Sequence, residues 1–388
     1  MSKINDLIKE MCPNGVEYVK LEELVDYIQP AKYIVKNTNY DIKYDVPVLT
    51  AGQTFILGYT NEKDGIYYAS ADNPVIIFDD FTTSNHWVDF NFKVKSSAMK
   101  ILTSKTDNLF KYIYYCISNI DYVPKEHSRQ WIQVYSQFQI PLPPLKVQEE
   151  IVRILDKFGE LEAELEAELE ERKSQYEFWR EKLLNDNNLV TIGDLLENKG
   201  YIRGPFGSAL VKADMVSEGI PVYEQQHAIY NHRDFRYFIT LDKAKKLERF
   251  SIKPNDLIIS CSGTVGRVSV ISDNDPKGII NQALLILRLN KKLIMPKYMK
   301  YYLESPVGYR SITSNTNKSA QVNIANREAI EKIKISVPSL EQQKHIVNIL
   351  DKFDALVNDI SEGLPAEIEL RRKQYEYYRN KLLSFEEL

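Results

Sequence analysis

Cysteine is scarce in this chain: Cys12, Cys116 and Cys261 stand far apart among 388 residues, with no Cys-x-x-Cys pair. An odd, scattered set writes neither a disulfide framework nor a zinc knuckle, and it points to a reducing, cytoplasmic compartment. Long apolar runs are missing as well. None approaches the roughly 18 residues of a membrane span, and Met1-Ser2-Lys3-Ile4-Asn5-Asp6 has no apolar signal core, so neither export nor membrane insertion is expected. Of five histidines, the closest pair, His227 and His232, has a spacing that does not suit one helical face, so no metal site is expected.

Catalytic motifs are equally thin. There is no P-loop and no His-Glu-x-x-His pair. Ser260-Cys261-Ser262-Gly263-Thr264-Val265-Gly266-Arg267 has the glycines of a phosphate cradle but no Walker lysine, and reads as a tight turn between two strands. Asp72-Asn73-Pro74-Val75 lacks the second proline and the aromatic of an amino-methyltransferase loop. Asp79-Asp80 has no Glu-x-Lys behind it and reads as paired surface acids. No catalytic residue is expected.

What is present is an ordinary soluble composition, 44% hydrophobic and 27% charged. At roughly 150 residues per domain, the length predicts two to three domains. The net charge of −4 is unevenly spread: residues 1–145 sum to −3, 146–187 to −6, 188–340 to +8 and 341–388 to −3. A polyanion responds to the local face and not to the whole-chain sum, so a basic domain offset by acidic helices is compatible with DNA binding.

The strongest signal is an internal duplication. Ile140–Phe158 recurs 195 residues later as Ile335–Phe353, with 11 of 19 positions identical, both copies ending in Ile-Leu-Asp-Lys-Phe. Arg172–Leu184 recurs as Arg371–Leu383 with 8 of 13 identical, at an offset of 199. Both blocks are helical by pattern. In the first, Val147, Ile151, Ile154, Phe158, Leu161 and Leu165 form a heptad seam; after a stutter at Leu169, it resumes through Arg172, Tyr176, Trp179 and Leu183. In the second, Ile346, Ile349, Phe353, Leu356 and Ile360 keep the spacing until Gly363-Leu364-Pro365, where a break or bend is expected. Each helix is the natural partner of the other's seam. Val75-Ile76-Ile77-Phe78, Leu257-Ile258-Ile259-Ser260 and Ala283-Leu284-Leu285-Ile286-Leu287 read as buried strands, and Lys111–Ile117 as a helix. The expected class is α+β: globule 1–145, helix 146–187, globule 188–340, helix 341–388.

Two polar segments carry DNA-reading chemistry: Ser128-Arg129-Gln130, and Lys318, Ser319, Gln321 and Asn323, each just ahead of a duplicated helix. Arg can fork onto guanine and Gln or Asn onto adenine, while Ser and Lys suit phosphate. A polar loop capping a domain is the alternative.

This arrangement resembles the specificity subunits of Type I restriction-modification enzymes, along the whole chain. The resemblance rests on Pro-Leu-x-x-Gln-x-x-Ile-Val-x-Ile-Leu-Asp-Lys-Phe and on the Arg/Lys-Gln-Tyr-Glu-aromatic-aromatic-Arg block, with Arg203-Gly204-Pro205-Phe206-Gly207-Ser208 and the stretch Lys253 to Arg267 beside them. It implies two target-recognition domains on double-stranded DNA, with Arg203 and Arg267 as further contacts. Two long helices would pack as an antiparallel coiled coil with pseudo-two-fold symmetry. It also implies a chain that is no enzyme and binds no cofactor itself, recruiting two modification subunits that carry S-adenosylmethionine and two restriction subunits that use ATP and Mg. The motifs of 188–340 are weak in 1–145, so the two domains are expected to read different sequences. A two-helix seam cannot cover both faces of the aromatic block, which makes Phe178 and Tyr377 candidates for partner-subunit contact, packing within the chain being the alternative. Two rivals are a coiled-coil adaptor, which leaves the basic domain unexplained, and a stand-alone methyltransferase, which lacks its motifs. Adjacent methyltransferase and helicase-nuclease genes would discriminate among them.

Overall fold

The computed structural model describes residues 2–50, 54–185, 188–313 and 324–388. The chain gathers into two compact units, Met1–Leu165 with Ile368–Leu388, and Glu166–Glu367. Six helices matter below: α1 (Ser2–Met11), α2 (Phe110–Ser118), α3 (Leu145–Leu183), α4 (Pro296–Glu304), α5 (Leu340–Asn358) and α6 (Leu364–Leu382). The first part of α3 belongs to the first unit and its last part to the second.

In the first unit, an antiparallel sheet runs in the order Val25–Ile28, Met99–Ser104, Val75–Asp79, Asn85–Val88. Its non-alternating apolar run is explained by two covered faces. Ile76, Phe78 and Leu102 join α2, Trp131, Tyr135 and the start of α3, whereas Val75, Ile77, Val88 and Ile101 join Leu49, Phe92 and Val94. A three-stranded sheet places Val46–Leu49 between Ile56–Thr60, antiparallel, and Lys93–Val94, parallel. Glu17–Lys20 pairs with Gln139–Leu142 just ahead of α3.

The second unit repeats these parts. Its four-stranded sheet runs Leu196–Arg203, Leu284–Leu289, Leu257–Ser260, Val268–Val270, and Ile258, Leu284 and Ile286 lie in a different core cluster from Leu257, Ile259, Leu285 and Leu287. Ile220–Tyr223 has a parallel neighbour, Ile279–Ile280, as Val46–Leu49 has in the first unit. Leu189–Thr191 pairs with Lys334–Ser336 ahead of α5.

The duplicated residues perform duplicated tasks. Gln148, buried at the start of α3, donates to Pro143 O at 2.8 Å and accepts from Leu109 N at 3.1 Å; Gln343 donates to Pro338 O at 2.8 Å and accepts from Met295 N at 2.8 Å. Tyr112 donates to Pro141 O and Tyr298 to Ser336 O, each across 3.0 Å. In the first unit α3 and α6 run antiparallel, Phe158 lying 5.5 Å from the ring of Tyr378 and Glu162 pairing with Arg372 at 2.6 Å. In the second, Tyr176 stacks on Phe353 at 6.1 Å. Leu, Ala and Glu favour the continuous helix intrinsically, and Glu150–Arg153, Glu168–Arg172 and Glu177–Arg180 pairs line its surface.

Two expectations need correction. Asp79 and Asp80 are not surface acids; both are buried at a strand end, where main-chain amides satisfy part of their charge. Leu356 is 37% exposed and Ile360, beyond the end of α5, is 86% exposed, so neither lies in a seam; Ile346, Val347, Leu350 and Val357 are the buried positions. The expected break is present: it spans 359–363 and ends on Gly363. A Cβ on Gly363 would stand 2.5 Å from the carbonyl oxygen of Ala355, so glycine is required where the chain turns. Of the other seam positions, Ile151 is buried, and Ile154, Phe158, Leu161, Leu165, Ile349 and Phe353 are half-buried.

Candidate nucleic-acid interface

Strand register brings separate loops to one edge of each four-stranded sheet. In the second unit, Arg203 opposes Leu285, Ser260 opposes Leu284 and Ile259 opposes Val268, so loops 204–207, 261–267 and 281–283 all leave from that edge. In the first, Ile28 opposes Ile101, Asp79 opposes Met99 and Phe78 opposes Asn85, which places loops 80–84 and 96–98 at the matching edge.

The second unit's edge is closely packed and internally hydrogen-bonded. Gly204 lies so close to Asn281 that no side chain fits there, and Gly263 and Gly266 have φ of 65° and 81°. Ser260 Oγ donates to Thr264 O at 2.6 Å and accepts from Arg267 N at 3.0 Å, while Gly266 N donates to Ser260 O at 2.8 Å. Two amides of the glycine turn are thus used inward, as suits a turn between strands and not an open phosphate cradle. Arg267 is exposed. Arg203 is half-buried: its guanidinium lies 5.8 Å from the ring of Phe206, and Nη1 is buried with no hydrogen bond among the described residues. Burial pushes the Cys261 thiol up to about 12, with Arg203 beside it pulling the other way. Phe206 is 63% exposed on this edge, a feature that spacing did not single out. Lys318, Ser319, Gln321 and Asn323 lie outside the described residues. The flanking chain is closed by a 2.8 Å bond from Ala325 N to Ile312 O, and Ile312 packs beside Gly266.

At the first unit's edge, Asp80 gathers the segment 129–131. Its Oδ1 accepts from Trp131 N at 2.9 Å, its carbonyl accepts from Gln130 N at 2.8 Å, and its Oδ2 lies 3.4 Å from Nη1 of Arg129. Ser128 and Arg129 are exposed. Gln130 is not available to a base: it is 3% exposed, its amide donates to Ser128 O and Oγ, and its Oε1 accepts from Tyr122. Spacing could not reveal Asp80 and its buried neighbour Lys100; the one hint was a lysine inside the apolar strand Met99-Lys100-Ile101-Leu102.

Away from the edges, Phe178 and Tyr377 occupy equivalent places in the repeat and are 59% and 60% exposed. His227 uses both ring nitrogens on main chain, accepting from Glu224 N at 2.7 Å and facing Asp234 O at 3.0 Å. Among the described residues, no three potential metal ligands are gathered and no helix is long and apolar enough to cross a membrane.

Sheet edges that present arginines and an exposed aromatic, joined to duplicated helices, are compatible with nucleic-acid recognition. Residues 13–171 and 185–370 match the Type I restriction modification DNA specificity domain, and the chain belongs to that family. It is 41% identical over 407 residues to the EcoR124I/EcoR124II specificity subunit of Escherichia coli, covering 99% of this chain and 98% of that one. Two solved structures share the fold at 14% identity. The S subunit of a type I system from M. genitalium has a TM-score of 0.56, covering 96% of this chain and 97% of its own. A chain from a structure describing complex assembly and conformational transition of the type I R-M system has a TM-score of 0.61, covering 96% and 98%. The chain is accordingly a DNA-specificity subunit, with a recognition role rather than a catalytic one.

Proposed function

We propose that this subunit reads a bipartite, asymmetric double-stranded DNA target, with residues 1–145 specifying one half and 188–340 the other. The helical segments 146–187 and 341–388 would serve as spacers and docking faces. The observation that carries this reading is a repeated framework with unlike edges: Gln148 and Gln343 do one job, whereas Arg129 stands at one sheet edge and Arg203 and Arg267 at the other. Identical scaffolds with different side chains at the reading edge suit two different half-sites. Through Phe178 and Tyr377 the chain would dock two modification subunits, which carry S-adenosylmethionine, and two restriction subunits, which use ATP and Mg, would join the complex. Ion-pair-lined helices offer these partners a preformed surface.

The test is modified-base mapping with the chain assembled on its modification partner. Arg129→Ala should relax one half-site and Arg267→Ala the other, each leaving its opposite half intact. Relaxation of both halves by either change would overturn separable reading. The isolated chain should show neither methyl transfer from a radiolabelled donor nor DNA cleavage.

A further inference from the structure

Lys100 is fully buried, yet its ammonium makes no hydrogen bond among the described residues; it has only Asp80 Oδ2 at 3.4 Å and the Tyr27 ring at 5.0 Å. A buried lysine so poorly satisfied is costly to keep unless it serves its neighbour. That neighbour is shared. The same Oδ2 meets Arg129, also at 3.4 Å, and Arg129 is 49% exposed whereas Lys100 is 1% exposed. Both distances are long for charge-assisted bonds, which favour about 2.7–2.9 Å. One carboxylate thus holds two cations weakly, one locked in and one able to leave. The adjacent Asp79 does not take up the excess in the same way, since its Oδ1 accepts from Phe81 N and Thr82 N at 2.7 and 2.8 Å.

We propose that Lys100 is a positioning residue that neutralises Asp80 from below, so that Arg129 is held at the sheet edge by the Asp80 scaffold yet remains free to engage an acceptor on DNA, whether a phosphate oxygen or a guanine edge. The inference rests on the DNA-recognition reading above. Without Lys100, Asp80 would be a buried carboxylate with Arg129 as its one remaining ionic partner among the described residues, and withdrawing that arginine would leave the charge unpaired. Among the described residues the other unit's edge has no such arrangement: Leu285 stands opposite Ile259 where Lys100 stands opposite Phe78. The effect should therefore be confined to one half-site.

The experiment measures DNA affinity and modified-base motifs for the chain assembled with its modification subunits. Lys100→Met should weaken binding by about tenfold, within the range of one lost arginine contact. Asp80→Asn combined with Lys100→Met should restore affinity to within about threefold, because the neutral pair no longer sequesters Arg129 and the introduced amide oxygen still accepts from Trp131 N. In an Arg129→Ala background, Lys100→Met should have no further effect. If Lys100→Met alone does not fold, the neutral pair carries the test: it should bind nearly as the parent does and lose about tenfold when Arg129→Ala is added. A Lys100→Met loss that persists without Arg129, or a neutral pair as weak as Arg129→Ala, overturns the proposal. If Arg129→Ala itself changes neither affinity nor motif, the reading of Arg129 fails instead. A steeper salt dependence in the parent than in Arg129→Ala identifies phosphate as the acceptor, and relaxation at one guanine identifies a base edge.

Discussion

Tyr301 of α4 donates its hydroxyl to Asp351 of α5 across 2.7 Å, and Tyr115 of α2 does the same to Asp156 of α3. Burial first, and then the carboxylate, hold both phenols well above their ordinary pKa, so each stays protonated and able to donate. These paired bonds fasten each globule to the helix that follows it. Tyr301→Phe should destabilise the second unit by about 1.5–3 kcal/mol, the usual worth of a hydrogen bond to a charged group, and Tyr115→Phe the first unit by a similar amount. Urea unfolding of each variant measures this; no change in either would show that the hydroxyls are ornamental.

Acid should weaken the second unit through His227. Burial lowers its pKa, so the folded state favours the neutral ring while the unfolded chain titrates at about 6.5. Stability is then full above that value and falls as pH drops through it towards the depressed folded pKa. His227→Asn should lower stability at pH 7.5 but flatten its decline to pH 5.5. A part of the slope should remain, because burial depresses His86 in the first unit as well. An unchanged slope would rule out His227 as the sensor.

Gly159 is an exposed residue inside α3, and a Cβ there would meet nothing within 4 Å. Gly159→Ala should stabilise the chain by about 0.5–1 kcal/mol, chiefly by restricting the unfolded state. A lower thermal midpoint would indicate that the helix needs local freedom at this point.

The tract Leu161 to Glu170 repeats Leu-Glu-Ala-Glu. One more copy after Glu168 lengthens a helix by about 6 Å and rotates it by about 400°, close to a full turn. The fold should survive. With B-DNA rising about 3.4 Å per base pair, both half-site sequences should persist while the unspecified spacer grows by one or two base pairs. An active insertion mutant with an unchanged spacer, read by mapping modified sites, would make this helix a support and not a ruler.

Much of the scaffold could be read beforehand because its physics repeats along the chain. Gln148 and Gln343 occupy matching places, and α3 is written in the apolar period and in the prolines ahead of it. The errors fell where tertiary context overrides pattern. Ile360 keeps the helical spacing but lies in the break at 359–363, beyond the end of α5, where Gly363 closes against Ala355 ahead of the proline. Asp80 and Gln130 carry polar chemistry suited to a surface, yet each is buried because a specific partner satisfies it, Trp131 N from distant sequence for Asp80 and the nearby Tyr122 hydroxyl for Gln130. Lys100 left no periodic trace at all: a buried lysine is decided by one carboxylate across the sheet, and such pairings are not written in spacing.

The scarcity and burial of cysteine make the molecule a ready substrate for site-selective spectroscopy. Cys116 and Cys261 are 3% and 1% exposed, and burial pushes both thiols up to about 12, so neither offers much thiolate to a maleimide at neutral pH. Cys12, half-buried and with its thiol also raised by burial, is the one to replace. A cysteine introduced at exposed Phe178 or Tyr377 would then carry a single fluorophore, and its emission would report whether a partner subunit covers that aromatic as the complex forms.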